Sequence, residues 1–155
     1  MTNDFWNSRF SEPGYAYGTE PNAFLVSQKH YFDARPQDAR GRGRRGAQRR
    51  VAGAAGSRRA VDGRFGSGAR KAQELAKSRG VSIRTEVADL ARWRWPEHEF
   101  DIVAAIFIHF MPEFRARMHA KMLRALKPGG VLIMEAFTPE QLRYKTGGPP
   151  VKEML

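Results

Sequence analysis

Three side chains able to accept a proton or a strong hydrogen bond stand just past apolar runs. Asp89 follows Val81–Val87, His109 follows the run that begins at Phe100, and Glu135 closes the stretch that begins at Val131. A carboxylate in such a place can accept from a ribose hydroxyl or an adenine amino group, and an imidazole can receive a proton near neutral pH. Two of them have a plainer role as well. Asp89 can cap the turn that follows it, and His109 can be a hydrogen-bonded structural histidine. The other histidines, His30, His98 and His119, have no metal-ligand spacing with His109 or with one another. There is no cysteine, hence no disulfide framework, thiolate nucleophile or thiolate metal site. No metal site is expected.

The elements that must position these groups are legible in the pattern. Asn22 opens a helix after an irregular aromatic arm broken by Pro13, Gly14, Gly18 and Pro21. Ala72, Leu75 and Ala76 form a helical stripe ending at Gly80, and Val81, Ile83, Thr85 and Val87 alternate as a strand does. Phe100–Phe110 is nearly continuous in apolar residues, the mark of a strand buried on both faces. Phe114, Met118, Met122 and Leu126 recur at helical spacing before Lys127-Pro128-Gly129-Gly130, which is expected to stop that helix. Val131–Phe137 is a further buried strand. The order helix, strand, strand, helix, strand predicts a mostly parallel α/β sheet with flanking helices. Ligands of such sheets bind outside the carboxyl ends of the strands, where Asp89-Leu90, Ile108-His109 and Glu135-Ala136 stand.

The net charge of +11 has a local origin. Residues 40–71 hold eleven basic side chains and one acid, Asp62, so the remainder is close to neutral. Gly41–Gly68 has eight glycines and eight arginines among its 28 residues, with only Val51, Val61 and Phe65 as large apolar side chains. Neither helical nor strand periodicity fits it, and disorder is the expectation. The longest apolar run, Ile102–Ile108, is too short to span a bilayer, and the amino terminus has no signal-peptide pattern. A cytoplasmic protein of one domain over 1–155 is expected, with an arm and first helix (1–38), the Arg/Gly-rich segment (40–68) and an α/β core (69–155).

Several stretches resemble the small class I S-adenosylmethionine-dependent methyltransferases. They are FWNSRFSEPGYAYGTEPNAFL (Phe5–Leu25), Ala88-Asp89, FDIV (Phe100–Val103), RALKPGG (Arg124–Gly130) and EAFTPEQLRYKTGGPP (Glu135–Pro150). The subgroup they look most like is the tellurite-resistance and thiopurine type. The resemblance covers residues 3–38 and 69–155 and implies a Rossmann-like fold. It also implies S-adenosylmethionine as cofactor and methyl transfer to a small-molecule acceptor, with rate won mainly by alignment. It implies that Trp6, Arg9 and Tyr17 belong to an arm closing over the cofactor. Asp89 and Leu90 then form an adenine-binding turn, Ile106 floors the site, and His109 is the candidate proton acceptor. Ala60-Val61-Asp62 resembles the end of the second strand, whose acid holds the ribose.

Two departures make the fold incomplete by the same comparison. The family has a strand, a glycine-rich loop and a helix where Gly41–Gly68 stands, and the sequence predicts neither a strand before those glycines nor an amphipathic helix after them. Relatives of this type also continue beyond TGGPP into two more strands, so Val131–Phe137 is expected to have an open edge. Two other readings compete. The tract over 40–71 could bind nucleic acid by phosphate neutralisation and stacking. Alternatively, permissible codons for Arg40–Arg59, read one nucleotide displaced, spell a strand, glycine-acid loop and helix like the family's own motif. The tract would then be an out-of-frame translation and the chain a non-functional remnant.

Overall fold

The computed structural model describes residues 11–15, 18–33, 51–55, 66–144, 148–149 and 151–155. Its elements run α1 (Ala23–Ser27), α2 (Lys29–Asp33), β1 (Val51–Ala55), α3 (Gly66–Ser78), β2 (Phe100–Ile106), α4 (Pro112–Arg124), β3 (Leu126–Glu135) and α5 (Gln141–Tyr144), followed by a 3-10 turn at Lys152–Met154. The strands form one sheet in the order β1-β2-β3. Both pairings are parallel. A parallel pair cannot be joined by a hairpin and needs a crossover; α4 supplies it between β2 and β3.

Burial explains why β2 is the central strand. Ile102, Val103, Ala104, Ala105 and Ile106 are all at most 5% exposed. Successive strand residues point to opposite faces, so both faces of β2 are covered. Val103 and Ala105 pack with Met122, Ala125 and Leu126 in one cluster. Met118 and Met122, one helical turn apart on α4, are 0% and 1% exposed. The helix starts with Pro112 in its first turn, where a missing N–H costs nothing. Helix α3 ends in a Schellman turn: Val81 N–H donates to the Ala76 carbonyl at 2.9 Å and Gly80 N–H to that of Lys77 at 3.1 Å, with Gly80 at φ +67°.

Five expectations are corrected. The Arg/Gly-rich tract does contain a strand: β1 pairs with β2 from Val51↔Ile102 to Ala55↔Ile106. Its sequence, one valine and four small residues, gives a weak strand signal, but the buried edge of β2 offers it a full ladder. Helix α3 likewise begins inside the tract, at Gly66. Conversely, Val81–Val87 is not a strand among the described residues; Val81 and Ile83 are 57% and 44% exposed. Alternation alone makes no strand without a neighbour to complete its hydrogen bonds. The buried strand beginning at Phe100 stops at Ile106 rather than Phe110, because Phe107 turns into the left-handed region at φ +53°. Finally, α4 ends at Arg124, and Leu126 already pairs with Phe100 as the first residue of β3.

Lys127-Pro128-Gly129-Gly130 is therefore a bulge inside β3. The register jumps from Phe100↔Leu126 to Ile102↔Val131, so the four residues loop out opposite Asp101. Lys127 Nζ closes the bulge on Asp101 Oδ2 at 2.8 Å. Gly130 has no room for a side chain: a Cβ there would lie 2.9 Å from the Lys127 carbonyl oxygen and 3.1 Å from that of Asp101. Among the described residues no helix is long and apolar enough to cross a membrane, and β3 lies at an edge of the sheet.

Candidate functional site

The two registers align the carboxyl ends of the strands. Ala55 pairs with Ile106 and Ile106 with Glu135, so the three last residues form one row across the sheet. Phe107 extends the β2–β3 ladder by one bond, its N–H donating to the Glu135 carbonyl at 2.8 Å. Its left-handed backbone costs about 1–2 kcal/mol for a residue with a side chain. Such strain persists only where surrounding contacts fix it, and it concentrates at functional sites.

Those contacts are aromatic. The Phe107 ring stacks on Phe137 with centroids 4.6 Å apart and planes 15° from parallel. The His109 imidazole also lies parallel to Phe137, at 5.7 Å and 5°. Phe137 is in turn wedged by the backbone of Gly148: a Cβ there would meet the ring at 2.7 Å, and Gly148 sits at φ +84°. Glycine is required at 148 on both counts.

His109 is held by its edge as well as its face. Nδ1 lies 3.1 Å from the Met154 carbonyl oxygen, which can only accept, so Nδ1 carries a proton. In the neutral ring Nε2 is then a bare acceptor. It is buried without a hydrogen-bond partner among the described residues. Burial pushes the imidazole below its ordinary pKa; the bond to Met154 opposes that shift and the Arg115 charge adds to it. A neutral imidazole with an unused lone pair is the form that can accept a proton from a bound molecule.

Glu135 carries the second polar contact of the row. Its Oε2 accepts from Asn22 Nδ2 at 2.8 Å, while Asn22 Oδ1 caps α1 by accepting from Leu25 N–H at 2.8 Å. The helix after the arm is thereby tied to the end of β3. The arm itself is tied to α3. Lys71 Nζ donates to the carbonyls of Glu12 and Gly14 at 2.5 and 2.7 Å, and Arg79 Nη2 donates to that of Thr19 at 2.8 Å.

Of the residues singled out from sequence, Ile106 and His109 belong to this end of the sheet, and Ile106 is 5% exposed. Asp89 performs the capping role: Oδ1 accepts from Ala91 N–H at 2.9 Å, and Oδ2 lies 3.7 Å from Arg92 Nε. A carboxylate has about four acceptor positions, and the side chain is 46% exposed, so it keeps capacity for a ligand. Leu90 beside it is buried at 4%, its carbonyl accepting from Trp95 Nε1 at 2.9 Å. Trp6, Arg9, Tyr17 and Asp62 lie outside the described residues. Sequence reasoning missed Phe107, Phe137, Asn22 and Arg115. Phe107 lay unmarked inside an apolar run, and a left-handed φ has no residue-type signal when the residue is phenylalanine. Among the described residues no group of histidines and carboxylates could hold a metal ion.

A parallel α/β sheet with its polar and aromatic groups gathered at the carboxyl strand ends is the architecture of a ligand-binding Rossmann-like domain. The family model for the methyltransferase domain matches residues 47–130, more than half of the chain, from near the start of the Arg/Gly-rich tract through the bulge of β3. The chain belongs to that family. Searched against curated proteins, it finds no match.

Proposed function

We propose that this chain transfers a methyl group from S-adenosylmethionine to a small-molecule acceptor in the cytoplasm. Within class I methyltransferases, the stretches Phe5–Leu25 and Glu135–Pro150 favour the tellurite-resistance and thiopurine type. The observation that carries the reading is His109: a neutral, stacked imidazole whose Nε2 has no partner, standing where a parallel α/β domain binds its ligand.

Asp89 keeps acceptor capacity beside the buried Leu90, the arrangement an adenosine needs for one polar and one apolar contact. Asp62 would hold the ribose, and Trp6, Arg9 and Tyr17 would close the arm over it. When bound, S-adenosylmethionine supplies an electrophilic methyl on sulfonium. The chain's own work is orientation and proton traffic. The Phe107–Phe137 stack would flank the bound molecule, and the buried Ile106 would give the site an apolar floor. His109 Nε2 accepts the acceptor's proton as its lone pair is committed to the new bond, a contribution of about 10²–10⁴ in rate.

The test is methyl transfer to a panel of small thiols, selenols and amines, with binding of S-adenosylhomocysteine measured alongside. The expected result is turnover that His109→Gln lowers at least a hundredfold without changing product binding (roughly the lower bound for a lost general base). Full turnover by His109→Gln would remove His109 from the chemistry.

A further inference from the structure

His109 depends on a segment far from it in sequence. The carbonyl that fixes its Nδ1 belongs to Met154, in a 3-10 turn of three residues, Lys152–Met154. That turn has only two backbone bonds of its own, Met154 N–H to the Val151 carbonyl at 3.3 Å and Leu155 N–H to that of Lys152 at 3.1 Å. One isolated 3-10 turn does not hold itself in place. Its anchor is Arg115, in the first turn of α4. Nη2 donates to the Glu153 carbonyl at 2.5 Å and reaches the Phe110 carbonyl at 3.4 Å. One guanidinium thus joins the β2–α4 connection, which carries His109, to the turn that supplies its hydrogen-bond partner.

We propose that Arg115 is a positioning residue: by fastening the Lys152–Met154 turn it holds the Met154 carbonyl on His109 Nδ1 and so selects the tautomer that leaves Nε2 as the acceptor. The catalytic consequence rests on the reading of His109 as proton acceptor; the tautomer does not. A free imidazole can put its proton on either nitrogen, and the one bearing it is set by the partner of the other. Without Arg115 the turn loses its side-chain bond across to α4, and the ring loses its reason to protonate Nδ1. The stack on Phe137 would keep the plane of the ring and leave the proton's position free. The Arg115 charge also disfavours the imidazolium, which keeps the selected lone pair available.

The experiment is long-range proton–nitrogen correlation on the full chain carrying nitrogen-15 histidine, with His109 assigned by loss of its signals in His109→Gln. The expected wild-type spectrum shows Nδ1 protonated and Nε2 bare. Arg115→Ala is expected to give a mixture or the opposite tautomer, with kcat lowered roughly tenfold or more through the misplaced proton and KM little changed. Arg115→Lys, which can still donate one bond to Glu153, is expected to restore the wild-type tautomer in large part and also serves if Arg115→Ala fails to fold. An unchanged tautomer in a folded Arg115→Ala overturns the proposal. Full turnover in His109→Gln would instead overturn the proton-acceptor reading, so the two failures are told apart.

Discussion

A methyl group added at position 148 tests whether the aromatic stack positions His109. In Gly148→Ala the new Cβ would start 2.7 Å from Phe137 Cδ2, and ordinary contact begins at 3.4 Å, so the ring must retreat by about 0.7 Å. Phe137 cannot move alone, because Phe107 and His109 are both stacked on it. Two costs follow: about 1–2 kcal/mol for alanine in the left-handed region and about 1–3 kcal/mol for overpacking. At roughly 2–4 °C per kcal/mol for a chain of this size, Tm should fall by about 4–20 °C. Gly80→Ala is the control: it carries the same backbone cost at φ +67° but meets nothing within 4 Å. The assay is thermal melting of both variants together with proton spectra of the His109 ring. The wild-type imidazole resonances should show the ring-current shift of a stacked ring and lose part of it only in Gly148→Ala. Equal melting losses in the two variants, with His109 resonances unmoved in both, would show that Phe137 does not hold the imidazole.

Other consequences are simpler. Gly130→Ala should destabilise by about 1–3 kcal/mol, because two of its close neighbours are backbone oxygens that cannot swing away; denaturant midpoints that match wild type would contradict the bulge. Met118→Ala, at 0% exposure on α4, should cost about 2–5 kcal/mol, whereas Leu123→Ala at 56% exposure should cost little. The pH dependence has a defined sign. The folded His109 pKa lies below the usual 6.5, so as pH falls through 6.5 the unfolded chain takes the proton first and the fold loses stability. The urea midpoint should therefore drop more between pH 7.5 and 5.5 in wild type than in His109→Gln, and an identical drop in both would count against a buried neutral imidazole.

The core was legible because its signals are cooperative. Phe100–Ile106, Met118 with Met122, and the strand after Gly130 each show a run or a period that only burial explains, and a parallel sheet follows from their order. The helix start at Asn22 was legible, but not the contact of its side chain with Glu135. What failed were cases in which the deciding partner is distant. Val51–Ala55 has almost no apolar signal and becomes a strand because β2 offers a ladder, while Val81–Val87 has the alternation and no partner among the described residues. Lys127–Gly130 reads equally as a helix stop and as a bulge; the register of β3 against Asp101 makes it the bulge. At the site, His109 was found by its chemistry. Its orienting groups, the Met154 carbonyl, Arg115 and the Phe137 face, come from other elements with no local trace of that role.

If the chain is a methyltransferase, it binds the methyl donor and the product left after transfer. Calorimetric titration with S-adenosylhomocysteine tests it most directly, since product binding needs no knowledge of the acceptor. Saturable one-to-one binding is expected, weakened in Asp89→Ala by about 1–3 kcal/mol, the cost of a lost hydrogen bond to a charged acceptor. No saturable binding, or binding indifferent to Asp89→Ala, would contradict it.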